Sequence, residues 1–192
     1  MNVKINKITK GTKIMKNSPW GKVQNSQILY EGVVAVSTGR HGGVKVYQKL
    51  NKLIPAYARK KDGWYEEDCE IAIPFFFLSV LNKKDQSENT LKNYFPSIWE
   101  TATGKTLKLG ESVEKDRTTF EKENINNWVV TSAYGDWHAN VPKGKVGVVA
   151  TLGGNRDYSN SKQFLIDEAE YKNRGQFDFV IDLTKHKETS FS

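Results

Sequence analysis

The residues best suited to chemistry in this 192-residue chain fall in three short stretches. The first is Gly39-Arg40-His41-Gly42-Gly43. Three glycines in five residues point to a loop, because glycine accepts backbone angles that other residues avoid. An imidazole there has room to meet a ligand, and Arg40 adds a positive charge. The N–H groups of Gly42 and Gly43 could also cradle an anion. The competing reading is a plain turn with an exposed histidine.

The second stretch is Trp64-Tyr65-Glu66-Glu67-Asp68-Cys69-Glu70. Clustered carboxylates can serve as acid and base, or bind a hard divalent ion through oxygen. Equally, acids in a first helical turn favour the helix by meeting its positive end. Cys69 invites a Cys–His pair with His41 or His138, but the acids beside it would raise its thiol pKa. A small buried hydrophobe is the stronger reading of that cysteine. The third stretch, Ser132-Ala133-Tyr134-Gly135-Asp136-Trp137-His138, joins an acid, an indole and an imidazole in a loop after a strand. It reads equally well as a site or as an aromatic-plugged turn. Leu152-Gly153-Gly154-Asn155-Arg156 is a glycine turn without a phosphate-loop signature, and neither GxGxxG nor a nucleophile elbow occurs. No metal or cofactor is expected from these patterns.

The elements that must position these residues read as an α+β fold. Expected is a single domain over 18–192, with mainly antiparallel sheet from the N-terminal and C-terminal thirds packed against central helices. Gln27-Ile28-Leu29-Tyr30, Val33 to Thr38 and Val44-Lys45-Val46-Tyr47 have strand character. Gln48 to Ala58 is a short helical or irregular piece. The main helix is expected over 64–82, apolar nearly all round and broken or kinked by Pro74. Further helices are expected over 88–103, interrupted by Pro96 and closed by Gly104, and from Glu111 to Asn124. Strands return at Trp128–Ser132, Val146–Ala150 and Gln163–Ile166. Asp167 is placed to cap a short helix, and Phe177 to Asp182 alternates as a last strand.

Residues 1–17 read as a basic arm, with Lys4, Lys7, Lys10, Lys13 and Lys16 at every third position. Met15 is an alternative start. The net charge of +7 is uneven: the first 61 residues hold 13 Lys/Arg against the one acid Glu31, and the remainder hold 16 against 21 acids. That basic third could meet an anionic partner, nucleic acid included. With Cys69 the single cysteine, an internal disulfide is excluded and a thiolate zinc site is disfavoured. The longest apolar run, Ile71 to Leu81, falls short of the roughly 18 residues of a membrane helix, and no secretory signal is visible. A soluble cytoplasmic protein is expected.

In chain order, Ser18-Pro19-Trp20-Gly21, Gly32-Val33-Val34, Ser37 to His41-Gly42-Gly43, Gly63 to Glu70, Gly135 to His138 with Val141-Pro142, and Phe164-Leu165 with Glu170-Tyr171 form a pattern. It resembles an uncharacterised domain family carried by bacteriophages, plasmids and other mobile elements, over roughly residues 18–184. His-Gly-Gly and Tyr-Glu-Glu-Asp-Cys are its most specific parts. Ile71 departs from it where an aromatic residue is expected. The resemblance carries no activity; it implies an accessory role in a mobile element, such as interference with host defence.

The leading expectation is therefore a non-enzymatic binder of a host defence component or of its anionic, nucleotide-type signal. Its ligand-binding residues would be Arg40, His41, Gly42, Gly43, Trp64, Glu66, Glu67, Asp136, Trp137 and His138. The alternatives are a metal-assisted or acid–base hydrolase using His41 with Glu66, Glu67 and Asp68, and a nucleic-acid-binding protein.

Overall fold

A computed structural model describes residues 15–156 and 158–191, so the expected basic arm lies outside the described residues as far as residue 14. The chain forms two compact units, one ending at Glu114 and the other beginning at Lys115. Each has its own antiparallel sheet and its own hydrophobic core, in keeping with the α+β class. The N-terminal and C-terminal strands do not share a sheet. No helix among the described residues is long and apolar enough to cross a membrane.

In the first unit a two-residue pair, β1 (Asn17–Ser18) and β2 (Gly21–Lys22), leads into a four-stranded sheet. Its strands are β3 (Asn25–Tyr30), β4 (Val33–Ser37), β5 (Gly42–Val46) and β6 (Trp64–Glu66), in that spatial order. The β-branched run explains the middle of the sheet. Val33, Val34, Val44 and Val46 are almost wholly buried, and β4 and β5 pair from Val33↔Val46 to Ser37↔Gly42. Gly42 and Gly43, expected in a loop, open β5 instead.

The largest departure is at residues 64–66. Trp64–Glu66 is not the start of a helix but a strand, paired Gly43↔Glu66, Val44↔Tyr65 and Lys45↔Trp64. Tyr65 supplies the reason. Its ring is fully buried, its hydroxyl donates to Asn51 Oδ1 at 2.8 Å, and it accepts the Lys60 N–H at 3.2 Å. Asn51, buried at the end of α1 (Gln48–Asn51), donates in turn to the Lys60 carbonyl at 2.8 Å. This closed network holds the residue extended, and burial raises the Tyr65 phenol above its usual range. Periodicity could not reveal it, because partners 5 and 14 residues away follow no helical or strand repeat.

The helix that remains is α2 (Ala72–Phe77), with Ala72, Ile73, Pro74 and Phe76 buried, followed by a 3-10 turn at Ser79–Leu81. Pro74 sits in the first turn, where backbone N–H groups have no helical partner to lose. Proline acts likewise at the next break. The expected single helix over 88–103 is two, α3 (Lys84–Tyr94) and α4 (Pro96–Thr103), with Pro96 at the start of the second and Gly104 ending it at φ 67°.

The second unit holds most of α5 (Val113–Glu123) and the sheet β7 (Trp128–Tyr134), β8 (Lys145–Leu152), β9 (Ser161–Asp167), paired in that order. Its core is Val130, Val148, Ala150, Phe164, Ile166 and Ile181. Asp167 occupies the N-cap position of α6 (Glu168–Lys172), but its carboxylate makes no cap. It pairs with Lys145 at 2.8 Å instead, which lowers its pKa. The expected last strand, Phe177 to Asp182, meets β7 through the single bridge Val129↔Val180. It ends where Asp182 turns the chain, accepting from the N–H of Thr184 at 2.9 Å and its hydroxyl at 2.6 Å.

If the Tyr65 network sets the β6 conformation, Tyr65→Phe leaves the buried Asn51 Oδ1 without its donor. Chemical denaturation should then show a loss of about 1–3 kcal/mol.

Candidate functional site

The turn joining β4 to β5 is built by one side chain. Thr38 Oγ1 donates to the His41 carbonyl at 2.8 Å and accepts the N–H groups of Arg40 and His41, both at 3.2 Å. One donor and two lone pairs are all a hydroxyl has, and all three are in use. The Thr38 N–H also donates to the His41 carbonyl, at 2.9 Å. The turn therefore presents Arg40 and His41, both exposed, from a fixed backbone.

Beyond the turn, β5 passes very close to its neighbours. The Gly42 N–H donates to Glu67 Oε1 at 2.8 Å, and the Glu67 N–H donates back to the Gly42 carbonyl at 3.1 Å. A Cβ on Gly42 would collide with Glu67 Oε2 and lie 2.8 Å from the Val36 carbonyl. On Gly43 it would collide with the Tyr65 carbonyl and the Trp20 ring. Both glycines are thus required by close approach rather than by a loop. Trp20 in turn packs edge-on against Trp64, with ring centroids 5.4 Å apart, and Lys45 Nζ lies 5.2 Å from the Trp64 ring centre.

The fold in this way gathers Trp20, His41, Gly42, Gly43, Trp64, Glu66 and Glu67 at one end of the sheet. His41 Nδ1 stands 3.9 Å from Glu66 Oε1, with the two side chains 57% and 24% exposed. Glu66 Oε2 accepts the Asp68 N–H at 2.9 Å. Glu66 Oε1 is buried and has no hydrogen-bond partner. One possible ligand atom each from His41, Glu66 and Glu67 lie within 4.8 Å of one another. The anion cradle expected from the Gly42 N–H is already filled by the Glu67 carboxylate.

The acids around this edge do separate jobs. Glu70 accepts Lys60 Nζ at 2.6 Å and the Glu66 N–H at 3.1 Å, tying the turn after β6 to the chain before it. Asp68 is exposed. Cys69 has its thiol pKa pushed up, first by burial and then by Asp68, Glu66 and Glu70. That is the opposite of what a nucleophile needs.

Asp136, Trp137 and His138 belong to the second unit. There the His138 ring packs 5.4 Å from Tyr134 and 5.9 Å from Phe191, while Trp137 is 75% exposed. His138 is held by its own N–H to the Gly135 carbonyl at 3.0 Å, and its carbonyl accepts from Val141 at 2.9 Å.

Two features had no motif to announce them. His186, buried in the second unit, accepts the Asp182 N–H at Nδ1 (3.2 Å), which leaves Nε2 to donate to Glu170 Oε1 at 3.1 Å. Lys185 reaches the same oxygen at 2.6 Å. A cavity of about 350 Å³ is lined by Arg117, Phe120, Phe177, Asp178 and the Gly153–Gly154 turn, small for a ligand pocket. The aromatic pair and the turn glycines were visible in the sequence; their convergence was not.

Residues 13–125 match the family described as a domain of unknown function (DUF7007), more than half of the chain, and the chain belongs to that family. The match takes in the whole His41–Glu67 edge and stops before the Asp136–His138 loop, short of the 18–184 span of the motif pattern. No curated protein and no solved structure matches the chain.

Two measurements check this geometry. Gly42→Ala forces Glu67 off its backbone partner, and thermal unfolding should show a clear loss of stability, while alanine at the exposed Arg40 leaves it within about 0.5 kcal/mol of the parent. Because the raised thiol pKa leaves Cys69 protonated at neutral pH, iodoacetamide should label it more slowly than a free cysteine peptide. The difference should narrow as pH rises through the thiol pKa.

Proposed function

We propose that this chain is a non-enzymatic accessory protein of a phage or related mobile genetic element, and that it binds a host defence component in the host cytoplasm. Its contact locus is the edge formed by the Thr38–Gly43 turn and Glu66–Asp68. The motif resemblance supports the mobile-element setting. The observation that carries the choice of partner is the hydrogen bond from the Gly42 N–H to Glu67 Oε1 at 2.8 Å. A carboxylate of the protein itself takes the place an anionic nucleotide would need. What the edge offers a visitor is an exposed imidazole and exposed carboxylates, which suit a protein surface bearing cationic and donor groups. A defence protein is therefore the favoured partner over its anionic signal.

A second reading has one observation in its favour. The 3.9 Å approach of His41 to Glu66 meets the first requirement of acid–base or metal-assisted hydrolysis. Against it, an imidazole 57% exposed faces bulk water, where electrostatic stabilisation of a transition state is weakest. Binding is the better supported role.

The test is phage plating on strains that each carry a single defence system, with and without the chain. Expression should restore plating on at least one strain, and His41→Ala with Asp68→Lys should remove the effect without loss of folded protein. Relief on no strain, or relief indifferent to both substitutions, counts against the proposal.

A further inference from the structure

We infer that His41, Glu66 and Glu67 form a divalent metal site of the first-row transition type, with Mn²⁺ and Zn²⁺ as the ions to expect. The inference deepens the reading above and rests on the same edge being the contact locus. Three observations carry it. One possible ligand atom each from His41, Glu66 and Glu67 lie within 4.8 Å of one another, so one ion reaches all three after small side-chain movements. Both carboxylates are already oriented by backbone donors, Glu66 through the Asp68 N–H at 2.9 Å and Glu67 through the Gly42 N–H at 2.8 Å. Outer contacts of that kind fix ligand direction in metal sites. Finally, Glu66 Oε1 is buried without a hydrogen-bond partner and stands 3.9 Å from His41 Nδ1. A buried carboxylate oxygen is rarely left so, because it loses water without gaining a donor.

The donor set decides the class of ion. Carboxylate oxygens alone would suit Mg²⁺ or Ca²⁺, whereas an imidazole nitrogen shifts preference towards first-row transition ions. No thiolate takes part, since the ligand atoms that converge here come from His41, Glu66 and Glu67 and not from Cys69. Three protein ligands leave coordination positions open, and the exposure of His41 and Glu67 turns those positions outward. Water, or a donor atom of the bound partner, completes the sphere. The metal would thus add one position for a lone-pair donor of the same protein partner, beside the exposed Asp68 carboxylate that suits its cationic groups.

Binding of MnCl₂ and ZnCl₂ to the full chain, freed of any affinity tag, is measured by isothermal titration calorimetry, with MgCl₂ as the comparison ion. Expected is one site for Mn²⁺ or Zn²⁺ that is tighter than for Mg²⁺. Separate His41→Ala and Glu66→Gln substitutions should each weaken it at least about tenfold. His41 is exposed, so its variant remains folded even if Glu66→Gln does not. No binding of either ion, or binding undiminished in His41→Ala and in folded Glu66→Gln, overturns the site. The plating assay separates the two ideas. Absent metal binding with relief that still depends on His41 and Asp68 removes only the metal. Metal binding with relief indifferent to this edge removes only the contact locus.

Discussion

Everything at the candidate site depends on how closely the backbone of β5 passes its neighbours at Gly42 and Gly43. On one residue the Glu67 carboxylate closes over the strand, and on the next the Trp20 ring does. Neither approach leaves room for a Cβ. The carboxylate brings its own hydrogen bond, since the Gly42 N–H donates to it and the Glu67 N–H returns one to the Gly42 carbonyl. A two-glycine gap thereby locks three separated segments, around residues 20, 42 and 66, into one edge. Removing the gap would leave His41 and the acids as unrelated surface groups.

That constraint also changes the electrostatic character of the edge. A glycine-flanked turn next to Arg40 reads as a place for an anion, and it would be one if the Gly42 N–H were free. With Glu67 inserted, the fixed negative charge belongs to the protein, and the ligand must bring the opposite sign or donors. Thr38 makes the presentation rigid by spending its one donor and two acceptor positions on the turn. His41 therefore projects from a backbone whose hydrogen bonds are accounted for.

Much of this architecture was legible in the sequence, and the parts that were not share a cause. The valine-rich strands, the α+β class and the break at Pro96 follow from local preferences of the residues concerned, whereas Pro74 breaks nothing, because it lies in the first turn of α2. Residues 64–66 misread as helix because acids before an apolar run resemble a helix start. What overrode that signal was a side-chain network, Tyr65 to Asn51 and Lys60, at separations of 5 to 14 residues that match no helical or strand period. The same holds for the glycines: their number suggested a loop, while their reason was the ring and the carboxylate packed on them. His41, Glu66 and Glu67 lie beside one another, a proximity to which only their residue types pointed in the sequence. Asp136, Trp137 and His138 lie in the second unit, whose sheet and core are its own. There the Tyr134 and Phe191 rings give His138 a packing role.

The claim on which the account turns is that the Gly42–Glu67 edge is a prepared site for a cation. Paramagnetic line broadening in a ¹H–¹⁵N correlation spectrum, with Mn²⁺ added well below one equivalent, reads this residue by residue. The amides of His41, Gly42, Glu66, Glu67 and Asp68 should broaden first. Broadening spread evenly over acidic surface residues, or centred on the second unit, would contradict it.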